Sequence, residues 1–134
     1  MSTPADYKAQ LTDEQYDVLF NKATEAPFSG VYDQAFAEGD YACAACGTML
    51  FESATKFDAH CGWPSFYDAK PGAVIFHDDS SLGMKRTEVT CATCGGHLGH
   101  VFEGEGLAVP TDQRYCINSL SLTFTPSPSL LKKV

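Results

Sequence analysis

A chain of 134 residues, 44% hydrophobic and 19% charged, is sized for one domain (residues 1–134) with a buried core, and its composition is that of a globular chain and not a disordered one. A formal net charge of −8 and a pI near 4.7 exclude the basic footprint of a nucleic-acid binder. No apolar run reaches the length of a membrane span, and residues 1–8 lack the charged and apolar regions of a secretory signal, so a cytoplasmic protein is expected.

Residues 1–10 read as a loosely held extension. Leu11-Thr12-Asp13-Glu14-Gln15-Tyr16 then carries a helix start, with Thr12 as N-cap, Gln15 closing a capping box and Leu11 stapling against Tyr16. Tyr16, Leu19, Phe20 and Ala23 recur at helical spacing as one apolar stripe. Ala26-Pro27 is expected to end this helix, because the residue before a proline avoids the α region. The helix is expected to pack on the outside of the domain as a lid or clamp.

From Asp40 onward short extended runs alternate with Gly, Pro and Asp. Strands are predicted over Gly39–Ala42, Met49–Phe51, Ala73–His77, Lys85–Thr90, His97–Phe102 and Tyr115–Thr125. Such a series argues for an all-β sandwich or open barrel. The tail, Pro126-Ser127-Pro128-Ser129 and onward through residues 127–134, cannot continue a sheet and reads as a surface extension.

Four of the six cysteines form two C-x-x-C pairs, Cys43 with Cys46 and Cys91 with Cys94. Together they offer the four thiolates that a tetrahedral Zn²⁺ takes at about 2.3 Å. A glycine follows each pair, Gly47 and Gly95, and supplies the φ > 0 that a metal-binding turn needs. Redox pairs are a competing reading, although a redox C-x-x-C more typically opens a helix. Three disulfides in a secreted chain whose signal has been removed is another. Residues 47–90 separate the pairs, far more than the roughly 15–20 of a zinc ribbon, so a substantial piece of structure is inserted between them. A metal held by four thiolates clamps that insertion and does no catalysis.

Cys61 and Cys116 are left without a metal role. Cys61 opens the run Gly62-Trp63-Pro64-Ser65-Phe66-Tyr67. Trp63 and Phe66 either pack as a core turn or line an apolar pocket for a methyl or thioether group, a contact worth about 0.3–1.5 kcal/mol. His97 and His100 follow the second pair directly. Residues three apart on a regular strand face opposite ways, so both imidazoles reach one site only if Gly99 breaks the pleat. Core packing and metal ligation are the other readings of these histidines, the latter weakened by four thiolates that already fill a coordination sphere. On the last strand Arg114, Cys116 and Asn118 share a face, which continues as Leu120, Leu122 and Phe124. Arg114 supplies a field that favours a thiolate, which makes Cys116 the candidate nucleophile and an inert core thiol the alternative.

Taken together, these motifs resemble the methionine-R-sulfoxide reductase B family. The resemblance runs from about Tyr16 to Pro126 and rests on Pro27-Phe28-Ser29-Gly30, both C-x-x-C pairs, Gly62-Trp63-Pro64-Ser65-Phe66, the run from His97 to Phe102, and Arg114 to Ser119. It implies a mainly β fold of two antiparallel sheets, a β-tent or Mss4-like open barrel, around a structural zinc site, with the N-terminal helix packed outside. It further implies that Cys116 attacks the sulfoxide sulfur of free or protein-bound methionine-R-sulfoxide. His97 and His100 would organise water and protons, Arg114 and Asn118 would order that network, and Trp63 and Phe66 would hold the ε-methyl. Cys61 would then resolve the Cys116 sulfenic acid to a disulfide, reduced in turn by a thioredoxin-type partner. The segment from Glu103 to Asp112 lacks the Pro-Thr-Gly that often precedes the reactive strand there, and Ile117 stands where some members carry Phe. These departures bear on the substrate loop and on side-chain preference.

Two rivals have different signatures. A zinc-ribbon-like binding module would use the aromatic cleft without turnover, and its thiols would persist when methionine sulfoxide is added. A thiol peroxidase would consume peroxide in preference to sulfoxide.

Overall fold

The computed structural model describes residues 7–33, 36–59, 61–80, 86–103 and 109–126. The expected extensions at 1–6 and 127–134, Lys85, and residues 104–108 of the divergent loop lie outside the described residues.

Helix α1 (Asp13–Asn21) starts as its sequence dictates. Gln15 N donates to Thr12 Oγ1 at 3.1 Å and Thr12 N to Gln15 Oε1 at 2.9 Å, a reciprocal box that typically contributes about 1 kcal/mol. Its buried residues are Val18 and Leu19. Tyr16 tilts onto Phe20, which packs against the core edge with Leu11, while Ala23 is exposed and outside the helix. The helix therefore ends earlier than the Ala26-Pro27 boundary. Lys22 takes a left-handed C-cap conformation (φ 58), and its N–H and that of Ala23 both reach Asp17 O, which closes the terminus. The helix packs over the sheet as an outer element.

Among the described residues nine strands follow: β1 (Gly39–Cys43), β2 (Met49–Glu52), β3 (Lys56–Phe57), β4 (Ser65–Phe66), β5 (Val74–Asp79), β6 (Arg86–Cys91), β7 (His97–Glu103), β8 (Gln113–Ile117) and β9 (Leu122–Pro126). They form two antiparallel sheets, ordered β2-β1-β9 and β3-β4-β8-β7-β6-β5. The predicted strand Tyr115–Thr125 is two strands in different sheets, because a 3-10 turn at Ser119–Ser121 intervenes. The face shared by Arg114 and Cys116 therefore does not run on through Leu120 to Phe124. Strands β3 and β4 have two residues each, too short to show a period in sequence. Pro126 does enter β9, as the last residue of an edge strand, a position where a missing N–H is tolerated.

The core lies between the sheets and is joined by aromatic contacts. Tyr41 and Phe51 of the small sheet meet Phe66 of the large one, with Phe51 and Phe66 stacked at 4.3 Å and Tyr41 edge-on to Phe66 at 5.2 Å. All three are fully buried, each by area worth roughly 2–3 kcal/mol.

Candidate active site

Strand register assembles the site. Cys116 on β8 lies opposite Ser65 on β4 and His100 on β7, and His100 lies opposite Glu88 on β6. One step along, Arg114 faces Phe102, and Arg86 faces Asp79 on β5. Opposed residues in antiparallel ladders share a face, and so do alternate residues of one strand. These groups therefore lie on one side of the large sheet. Tyr115 and Ile117 point the other way into the core.

Two backbone features tune this grid. The β6–β7 register shifts between Val89 and Thr90, so that Thr90 pairs with His97 and Val89 with Gly99. The bulge at Leu98 brings the His97 and His100 rings to 5.5 Å between centroids, the break in the pleat that their spacing required. Gly99 has a different task from the one expected. A Cβ there would stand 2.0 Å from Cys116 O, so its bare backbone allows β8 to close on β7.

Cys61 Sγ lies 3.6 Å from Cys116 Sγ and 3.3 Å from Ser65 Oγ. The two sulfurs share a proton. The Cys116 thiol hydrogen, with Ser65, the Trp63 backbone and Arg114 adding to it, holds Cys61 down to about 5 against the cost of burial. Cys116 is driven up by giving that hydrogen bond and by burial, while Arg114 pulls it down without prevailing. The contact thus lowers Cys61 and raises Cys116, and Arg114 acts on Cys116 in the direction expected.

A cavity of about 240 Å³ opens over the pair, lined by Thr24, Cys61, Trp63, Arg86, Gly99, His100, Phe102, Arg114, Cys116 and Asn118. Trp63 is fixed by Nε1 donating to Glu25 O at 3.0 Å. Phe66 does not line the cavity. It is fully buried on the core side, and Phe102 supplies the second aromatic wall, with the Arg114 guanidinium 4.5 Å from its ring centre. His97 is buried behind His100 and does not reach the cavity surface. Asn118 reaches it, but its side chain is engaged by backbone, with Nδ2 donating to Leu98 O at 3.0 Å and Oδ1 accepting from Glu25 N at 3.1 Å.

Several supporting residues had no motif to reveal them. His97 Nδ1 lies 2.7 Å from Glu88 Oε2, and His100 Nε2 lies 2.7 Å from Asp79 Oδ2. Burial lowers the pKa of His97 despite Glu88. Lys22 lies 3.5 Å from both carboxylates, and Arg86 3.4 Å from Asp79. Buried Glu25 joins α1's trailing loop to the site through its backbone, and its Oε1 accepts from Leu120 N at 2.9 Å. Only the folded arrangement of strands, helix end and loop shows these contacts, since the partners are separated in sequence.

The four remaining cysteines meet as their spacing required. Their Sγ atoms all lie within 4.8 Å of one another, with Cys43–Cys94 at 3.6 Å and Cys46–Cys91 at 3.5 Å. A tetrahedron with bonds of about 2.3 Å has S–S edges of about 3.8 Å, so the quartet fits a four-thiolate metal ion. Each pair forms the turn of a hairpin, β1–β2 and β6–β7, with Gly47 (φ 80) and Gly95 (φ 76) in the left-handed region. The hairpins belong to different sheets, and a metal here would tie the two together.

A two-sheet β scaffold, a four-cysteine cluster with the spacing of a metal site and a separate thiol pair beside an imidazole define the class of protein. The SelR domain family model matches residues 11–126, and the chain belongs to that family. It is 52% identical over 126 residues, 93% of its length, to the peptide methionine sulfoxide reductase B2, chloroplastic, of Arabidopsis thaliana, of which it spans 61%. It is 53% identical, over 91% of its length, to the peptide methionine sulfoxide reductase B3, chloroplastic, of Oryza sativa subsp. japonica, of which it spans 52%. With the peptide methionine sulfoxide reductase B5 of Arabidopsis thaliana identity is 49% over 95% of this chain and 90% of that one. Among the described residues no helix is long and apolar enough to cross a membrane.

Proposed function

We propose that this protein reduces methionine-R-sulfoxide, in proteins or free, to methionine, with Cys116 as nucleophile and Cys61 as resolving thiol. The observation that carries this reading is the 3.6 Å separation of the two sulfurs in a cavity that also presents Trp63 and His100. Trp63 and Phe102 form the apolar wall for the ε-methyl, and His100 stands across the strand pair from Cys116, within reach of the departing oxygen.

The proton of the resting pair passes from Cys116 to Cys61 along their contact, which frees the Cys116 thiolate beside Arg114. Its sulfur attacks the sulfoxide sulfur while the oxygen takes a proton from solvent water ordered by His100. The S–O bond is then lost from substrate to Cys116, methionine leaves, and Cys116 becomes a sulfenic acid. The Cys61 thiol condenses with it, forming an S–S bond and releasing water. A partner dithiol of the thioredoxin type reduces that disulfide by exchange. His97, one step behind, and Asn118 act by holding His100 and the strand end in place. Cys43, Cys46, Cys91 and Cys94 hold a structural Zn²⁺, which supplies a cross-link and no chemistry. Free reduced thiols of this kind belong in a reducing compartment, here the cytoplasm.

Steady-state turnover on resolved sulfoxide epimers, free and in a peptide, with a thioredoxin recycling system tests the reading. Turnover of the R epimer alone is expected. Turnover of peroxide but neither epimer would identify a thiol peroxidase, and persistence of both thiols would identify a binding module.

A further inference from the structure

The mechanism above uses the imidazoles and leaves their carboxylate partners without a task. Each ring gives a different nitrogen away: His97 turns Nδ1 to Glu88, and His100 turns Nε2 to Asp79. In the neutral rings those nitrogens carry the proton, so the acceptor nitrogen is Nε2 in His97 and Nδ1 in His100. Asp79 reaches His100 from β5 across the whole width of β6.

Lys22 stands where these two pairs converge. Its Nζ is 3.5 Å from Asp79 Oδ2 and 3.5 Å from Glu88 Oε1, the oxygen that His97 does not use. Its backbone is the left-handed cap of α1, a place that suits glycine better, so the side chain is held there at some conformational cost. We infer that Lys22, with Asp79 and Glu88, is a positioning network that fixes the orientation and charge of both active-site imidazoles from the end of α1. The inference rests on the reductase reading only for the purpose of that charge.

The groups that face the rings can be counted. Asp79 comes from β5, Glu88 and Arg86 from β6, Lys22 from α1, Arg114 and Cys116 from β8, and Cys61 from the loop before β4, besides each ring's effect on the other. Lys22 and Arg86 together balance the two carboxylates. Loss of Lys22 leaves one negative charge uncompensated beside the rings, which favours imidazolium at His97 and moves its titration to higher pH. Lys22 already acts on His97 in the opposite, lowering direction.

NMR titration of His97 and His100 in the metal-loaded, thiol-reduced full chain tests this without reference to turnover. In Lys22→Met, which keeps the apolar stem, the His97 midpoint is expected to rise by at least about half a pH unit, while Lys22→Arg stays with the parent. Asp79→Asn is expected to release His100 from its single tautomer, read from its ring ¹⁵N shifts. A His97 midpoint in Lys22→Met that matches the parent in a protein with parent-like thermal unfolding would overturn the inference. If the midpoint moves but no sulfoxide is reduced, the network stands and the reductase reading fails.

Discussion

Cys116 and His100 stand directly opposite each other on neighbouring strands, and the absence of a side chain at Gly99 lets the two backbones approach that closely. The Cβ of Gly99→Ala would press on a backbone carbonyl, which cannot rotate away as a side chain can. The substitution is expected to cost about 3 kcal/mol, the upper end of the overpacking range, and to lower kcat by shifting Cys116 away from His100. Chemical denaturation and turnover measure the two effects. Parent-like values in both would mean that β7 and β8 are not held this tightly.

Of the two paired thiols, Cys61 is the one whose pKa is lowered. With its pKa held to about 5, its alkylation rate should rise through that pH and then level off, whereas an ordinary thiol gains rate up to about pH 8.5. Iodoacetamide labelling followed by peptide mass spectrometry between pH 4 and 9 reads this directly. The Cys116→Ala variant has no donor to replace the thiol hydrogen that holds Cys61 low, so the Cys61 midpoint should move up in that variant.

Much of this arrangement is legible in the sequence, for a physical reason. Helix starts, metal turns and alternating strand faces depend on residues within a few positions of one another, so Thr12 with Gln15, Cys43 with Cys46, and Arg114 with Cys116 announce themselves. Contacts set by strand pairing do not. Phe66 follows Trp63 closely in the chain yet faces the core, because β4 pairs Ser65 with Cys116 and turns the next residue over. Asp79 and Glu88 acquire their histidines only once β5, β6 and β7 are laid side by side. The end of α1 was hidden too, since a lysine occupies the left-handed cap where glycine is the usual signal.

The four-cysteine quartet joins hairpins from two sheets, so metal loss should undo the whole fold. Structural zinc sites bind with roughly 10 kcal/mol or more, comparable to the total stability of a domain. Cys46→Ser, or a chelator that strips any metal from the quartet, is expected to abolish cooperative thermal unfolding followed by circular dichroism. A stripped protein that still melts cooperatively near the parent temperature would show that the aromatic core alone holds the sheets together.

Burial raises the pKa of Glu25 above the ordinary carboxylate value. The folded protein then binds this proton more tightly than the unfolded chain does, so stability falls as pH rises from the ordinary carboxylate range through the raised value. Glu25→Gln keeps an acceptor for Leu120 N and removes the buried charge. Its thermal midpoint should equal or exceed the parent's at pH 8, with the advantage lost at pH 4. A variant less stable at pH 8 than at pH 4, relative to the parent, would reverse the sign of this effect.

The most direct test concerns the two sulfurs. After one equivalent of methionine-R-sulfoxide and no reductant, peptide mass spectrometry should find Cys61 linked to Cys116 and one methionine released. Cys61→Ser should release the same methionine and stop at a Cys116 sulfenic acid trapped by dimedone, and Cys116→Ser should release none. Methionine released by Cys116→Ser, or a disulfide joining any other pair, would contradict the account.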